Sequence, residues 1–157
     1  MINVLSSKVI HRPVREVFDF MSAAENDFQW QYGTLASGQV SKGAMTVGTA
    51  FRSIGHLLGR RSQSTFEITD YAANEKYGFK SVSGPLDSST LYTFEVERGA
   101  TAVHITVQVR GIHSPEIQAG SLERHLKRQL RENLAMLKKL LETGQGHRDR
   151  PETGTAG

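Results

Sequence analysis

The chain of 157 residues has no cysteine, and its aromatic share is modest, with a single tryptophan. Without cysteine there are no disulfides, thiolate nucleophiles or cysteine-based metal sites, a composition that fits a reducing compartment. Long hydrophobic runs are missing too. No window approaches the ~20 apolar residues that a membrane-spanning helix needs. Met1-Ile2-Asn3-Val4 leads straight into an alternating pattern, with no charged n-region, apolar h-region or small-residue cleavage site. The expected location is the cytoplasm, with no integral membrane association. A charge excess of one sign is also small, +3 in all. Its basic residues concentrate at Arg60-Arg61 and along a C-terminal stretch with Arg124, Lys127, Arg128, Arg131, Lys138 and Lys139. No aromatic side chains alternate with them as a base-stacking groove requires, so they read as the solvated face of a helix. No nucleic-acid partner is expected.

What the chain does contain is periodicity. Residues 2–10 alternate as a strand. Pro13 suits the first turn of a helix, and Val14, Val17, Phe18 and Met21 follow at three- and four-residue spacing. A second short helical piece runs from Ala24 to Gln31, carrying Phe28 and Trp30. From Gly33 onward the pattern is strand-like, with strands expected at 34–41, 47–57, 60–70, 75–83, 89–97 and 101–110. The intervening turns carry Lys42-Gly43 and Gly48, Leu58-Gly59, Ala73-Asn74, Gly84-Pro85 with Asp87, and Arg98-Gly99. Such short connections force antiparallel pairing, because a parallel pair needs a long crossover.

The last element covers the sheet. From Ser114 to Thr143, Leu122, Leu126, Leu130, Leu134, Leu137 and Leu141 form one apolar stripe at helical spacing. Gly144 suits a C-cap. The remaining residues lack apolar periodicity and are rich in glycine and charge, which predicts a single domain over 1–143 and a disordered tail over 144–157. The expected architecture is α+β: a seven-stranded curved antiparallel sheet around a long C-terminal helix, with two short helices after the first strand. One helix cannot fill the concave face of a curled sheet, so an interior cavity is expected.

Four stretches carry a family resemblance. Val9-Ile10-His11-Arg12-Pro13-Val14-Arg15-Glu16-Val17-Phe18 enters a helix from a strand, and Glu25-Asn26-Asp27-Phe28-Gln29-Trp30 ends a second helix in tryptophan. Val47-Gly48-Thr49-Ala50-Phe51 opens a strand, and Ser83-Gly84-Pro85 precedes Tyr92-Thr93-Phe94-Glu95 and Gly99-Ala100-Thr101-Ala102-Val103. In this order they resemble the START-related polyketide cyclase/dehydrase superfamily (SRPBCC), over about residues 2–142. The resemblance implies the helix-grip fold of the birch pollen allergen and a cavity for apolar or aromatic small molecules. Its members include binders and transporters, aromatic cyclases, and regulatory subunits, and fold does not choose among them.

Strand alternation gives an expected inner face. Val103, Ile105, Val107 and Val109 point inward on the last strand, as do Tyr92, Phe94 and Val96 on the one before. Tyr77, Phe79 and Ser81, then Phe66 and Ile68, and then Phe51 and Ser53 continue that face. The expected ligand contacts are Tyr77, Phe79, Tyr92, Phe94, Phe51, Ser53, Phe66, Leu126 and Leu130. The two tyrosines supply polar handles in an otherwise apolar pocket.

Chemistry-bearing motifs are few. Six histidines include no i, i+4 pair on one helix and no HExxH, so no metal site is expected. There is no Gly-x-Ser-x-Gly elbow and no glycine-rich phosphate loop, and no cofactor is expected. Acid–base catalysis remains open, with Tyr77, Tyr92, Ser53, Arg52 and His56 as candidates. Arg52 and His56 lie on the strand face opposite Phe51 and Ser53, so all of them cannot line one cavity. The leading expectation is a small hydrophobic ligand held between sheet and helix. The alternatives are a cyclase/dehydratase-like enzyme and a protein-interaction or regulatory module, which would include a homodimer.

Overall fold

Two hairpin turns show how the sequence dictates the sheet. Leu58 and Gly59 have φ of 51° and 80°, and Arg98 and Gly99 have φ of 50° and 82°. Two consecutive residues at positive φ make the two-residue turn whose twist matches that of the flanking strands. The strand pairs close tightly on each, Leu57 opposite Arg60 and Glu97 opposite Ala100.

The computed structural model describes residues 1–144. Strand β1 spans Ile2–Ile10, and helix α1 spans Val14–Met21. A 3₁₀ turn at Ala24–Asn26 runs directly into the one-turn helix α2, Asp27–Trp30. Strands β2 (Thr34–Gln39), β3 (Ala50–Leu57), β4 (Arg60–Ala72), β5 (Lys76–Ser83), β6 (Leu86–Glu97) and β7 (Ala100–Ile112) follow. Helix α3, Ala119–Thr143, comes last. The strands form one antiparallel sheet in the order β1-β7-β6-β5-β4-β3-β2. Register shifts at Thr34/Ala36, Thr65/Phe66, Ile68/Asp70 and Asp87/Ser88 bend it, since the extra residue of a bulge increases local twist. This is the helix-grip fold.

The leucine stripe of α3 is buried throughout: Leu122, Leu126, Leu130, Leu134, Leu137 and Leu141. Its backbone lies close to β1 and α2. Over the strands farther along the sheet the gap is wider, and large side chains fill it: Phe51, Tyr77, Phe79, Tyr92 and Phe94. Gly144 ends the helix at φ 70°, with its N–H bonded to Leu140. The far end of α3 is clamped to the β1–α1 junction. Glu142 accepts from the His11 N–H at 2.8 Å, Arg12 Nε donates to the Leu141 carbonyl at 3.0 Å, and Lys138 donates to the Val9 carbonyl at 2.8 Å.

Several boundaries differ from expectation. The expected second strand stops at Gln39 and the third starts only at Ala50, because the backbone between them turns through Gly43 and Gly48 at positive φ. The helix expected from Ser114 begins at Ala119. Ser114 and Pro115 form a turn closed by the Ile117 N–H on the Ser114 carbonyl, and Glu116 is drawn to Arg60 at 2.5 Å. Strands β6 and β7 are longer than expected. Val96 does not face the core: it is 66% exposed, near the end of its strand. The expected tail falls, apart from Gly144, outside the described residues.

Candidate functional site

A cavity of about 190 Å³ lies between the sheet, α2 and α3. One wall is aromatic. The alternation of β3, β4 and β5 brings Phe51, Phe66 and Phe79 together, with ring centroids 5.2–5.3 Å apart in one stacked and two edge-on contacts. Ser53, Ser62, Ser64 and Ser88 add hydroxyls to the sheet side. The opposite wall is polar and helical, with Asp27 and Gln31 from the α2 segment and Gln129 and Asn133 from α3.

Hydrogen bonds fix this polar wall. Asn133 Oδ1 accepts from the Tyr32 N–H at 2.8 Å, and Gln129 Nε2 donates to the Tyr32 carbonyl at 2.6 Å. The two side chains, one helical turn apart on α3, thus hold both polar groups of Tyr32. Gln31 Nε2 donates to the Tyr92 hydroxyl at 3.2 Å. Asn26 anchors the preceding turn by donating to the Phe20 carbonyl at 3.1 Å.

Phe51, Ser53, Phe66 and Phe79 line the cavity. Tyr77 and Tyr92 sit behind Phe79, at ring distances of 5.8 and 5.9 Å, with their own rings 5.6 Å apart. Phe94 lies toward α1, edge-on to Phe18 at 5.2 Å. Leu126 and Leu130 are buried in the core and are not on the cavity wall. Arg52 and His56 are both exposed, on the outer face of β3; His56 reaches only the rim of the cavity.

Asp27 is the residue that sequence reading missed. Its exposure is 7%, and no described residue hydrogen-bonds or ion-pairs with its carboxyl. Burial pushes its pKa well above the ordinary carboxylate range, and the neighbouring Glu25 carboxylate adds to the shift. Burial likewise raises the Tyr77 and Tyr92 hydroxyls, with Asp27 as the next contributor to each. The three groups therefore share one low-dielectric region in which each favours its uncharged form. A signal for Asp27 existed. If Trp30 points into the core, Asp27 and Asn26 follow it onto the same helical face at i−3 and i−4, and all three are buried while Phe28 is exposed.

Among the described residues no helix is long and apolar enough to cross a membrane, and no three His, Asp or Glu side chains gather as a metal set.

Residues 1–142 match the family model described as polyketide cyclase / dehydrase and lipid transport. No curated protein matches the chain in sequence. Among solved structures, a START superfamily protein from Mycobacterium smegmatis is similar with a TM-score of 0.77 at 11% identity, covering 90% of this chain and 97% of that one. A protein of Thermus thermophilus gives a TM-score of 0.73 at 17% identity, with coverages of 90% and 98%. The di-domain ARO/CYC protein BexL of the BE-7585A biosynthetic pathway gives 0.70 at 20% identity, covering 94% of this chain but 48% of its own. At these identities the likeness is one of fold. The match across 1–142, joined to the helix-grip architecture, places the chain in the polyketide cyclase / dehydrase and lipid transport family.

Proposed function

We propose that this domain binds a small, mainly aromatic or hydrophobic molecule in the cavity between the sheet and α3. The observation that carries this reading is the juxtaposition of the Phe51–Phe66–Phe79 cluster with a wall of hydrogen-bonding side chains. Small-molecule sites have that composition: an apolar body contact with a few placed polar groups that fix orientation. Tyr77, Tyr92, Phe94, Leu126 and Leu130 would then shape the pocket from behind.

The test is native mass spectrometry of protein purified from its own source, with organic extraction of whatever accompanies it. A co-purifying hydrophobic mass, lost in a Phe51→Ala, Phe79→Ala double variant that still folds, supports the reading. A folded wild-type protein that takes up no aromatic probe even at millimolar concentration sinks it.

A second reading, a cyclase- or dehydratase-like enzyme, is favoured by Asp27 alone. An uncharged carboxyl in an apolar site can donate a proton to a carbonyl or a departing hydroxyl. Turnover of a poly-ketone by the wild type and its loss in Asp27→Asn would support it. Equal turnover by both would remove Asp27 from the chemistry.

A further inference from the structure

The cavity wall carries one carboxyl and no lysine or arginine. Asp27 faces it, and the only base at the boundary is His56, on the exposed rim. Among the described residues nothing compensates that acid. Neither Asp27 nor Glu25 takes part in a salt bridge among the described residues. The neighbouring charge that acts on it is Glu25, another acid, whose Oε2 accepts the Gln39 N–H at 3.1 Å. A buried carboxyl of this kind is completed either by a proton or by a cation that arrives with the ligand.

The rest of the wall suits the second of these. The ring faces in the Phe51, Phe66 and Phe79 cluster are the kind of aromatic surface to which a cation is attracted. The serine hydroxyls, Gln31 and Asn133 offer oxygen acceptors for N–H groups. An anionic ligand would meet an acid with no counter-charge. Resting on the binding reading above, we propose that the ligand is an aromatic or alicyclic body carrying one cationic amine, with Asp27 as the counter-charge that selects it.

Binding of such a ligand expels the Asp27 proton to solvent as the ammonium takes its place. The groups around Asp27 make the pH dependence simple. Glu25 acts on it from the 3₁₀ turn, Tyr77 from β5 and Tyr92 from β6; β3 adds His56 at the exposed rim, β2 contributes no titratable residue, and α3 places the neutral Gln129 and Asn133 on the wall. Both tyrosines stay protonated. Amine affinity therefore rises with pH, up to about tenfold per unit, until Asp27 ionises in the free protein, because an alkylamine remains cationic to about pH 9–10. A ligand that accepts a hydrogen bond from the neutral acid has the opposite slope.

Isothermal titration with naphthylmethylamine, naphthylmethanol and naphthoate, three probes of one skeleton, tests the proposal. The expected result is amine binding about tenfold or more tighter than the alcohol, the scale of one charge-assisted hydrogen bond, with the carboxylate weakest. Asp27→Asn should erase the preference and flatten the pH slope. Alcohol binding as tight as amine, or an amine affinity that falls with rising pH, overturns the amine assignment and leaves the aromatic cavity standing. Failure of all three probes to bind overturns both together.

Discussion

Gln31 donates its Nε2 hydrogen to the Tyr92 hydroxyl oxygen at 3.2 Å, tying the end of α2 to the middle of β6. The bond explains how a buried tyrosine is tolerated beside Trp30, whose ring lies edge-on to it at 5.9 Å. Tyr92→Phe keeps the ring packing and removes only the acceptor. It should cost about 0.5–1.5 kcal/mol, read as a lower urea midpoint with an unchanged slope. A neutral result would mean that the Gln31 amide finds another partner within the cavity.

Asp27 makes stability depend on pH in a direction that can be worked out. Its folded pKa is raised, so the folded state binds a proton that the unfolded chain has released. Its favourable contribution is complete below the ordinary aspartate pKa near ~4, and is lost as pH rises through the raised folded value. Wild type should therefore gain stability as pH falls from the raised folded value toward ~4. Asp27→Asn, which cannot ionise, should be more stable than wild type at neutral pH and lack this slope. Thermal unfolding across the range reads both; parallel curves for the two proteins would refute it.

The fold was legible because its large patterns are redundant. Six leucines at helical spacing all reach the core, and the alternation of Val103, Ile105 and Val109 sets the buried face of β7. The same alternation placed Phe51 and Ser53 inward and left Arg52 and His56 exposed. Val96 broke the pattern because period-two alternation gives a side but not the reach of the covering helix. Asp27 escaped for a different reason. A one-turn helix holds too few residues to show an apolar stripe, and a carboxyl is ordinarily expected outside. Only the placement of Trp30 reveals it. The cavity itself depends on how far α3 stands from β3 and β4, a distance set by the aromatic side chains between them.

Gly55 marks a point where strand and loop meet too closely for a side chain. A Cβ there would stand 2.0 Å from the Gly33 carbonyl oxygen, which already accepts the His56 N–H at 2.7 Å. The obstacle is backbone, so it cannot swing aside. Gly55→Ala should force β3 from the Gly33 loop, at a cost of about 1–3 kcal/mol, the usual range for overpacking. Because Gly33, Gly55 and Gln129 all border the cavity, probe affinity should fall with stability in this variant. Unchanged melting would show that the loop relaxes freely.

The clamp at the far end of α3 should be felt on the acid side. Burial alone would raise Glu142, but the His11 N–H and the Lys138 ammonium, at 2.8 and 2.7 Å, outweigh it and hold its carboxyl below the usual range. A lowered folded pKa gives stability that is present above the ordinary glutamate value near ~4 and lost as pH falls through the folded one. Glu142 is partly open to solvent, so screening keeps the charge contribution within about 1 kcal/mol. Glu142→Gln should destabilise modestly at neutral pH, with the difference from wild type vanishing in acid. The site lies at the C-terminal end of α3, more than two helical turns beyond Gln129 and Asn133 near the middle of the helix, and the variant should leave probe binding in the cavity unchanged. A loss of binding equal to that of Asp27→Asn would mean that the helix moves as one body and that the clamp sets the width of the pocket.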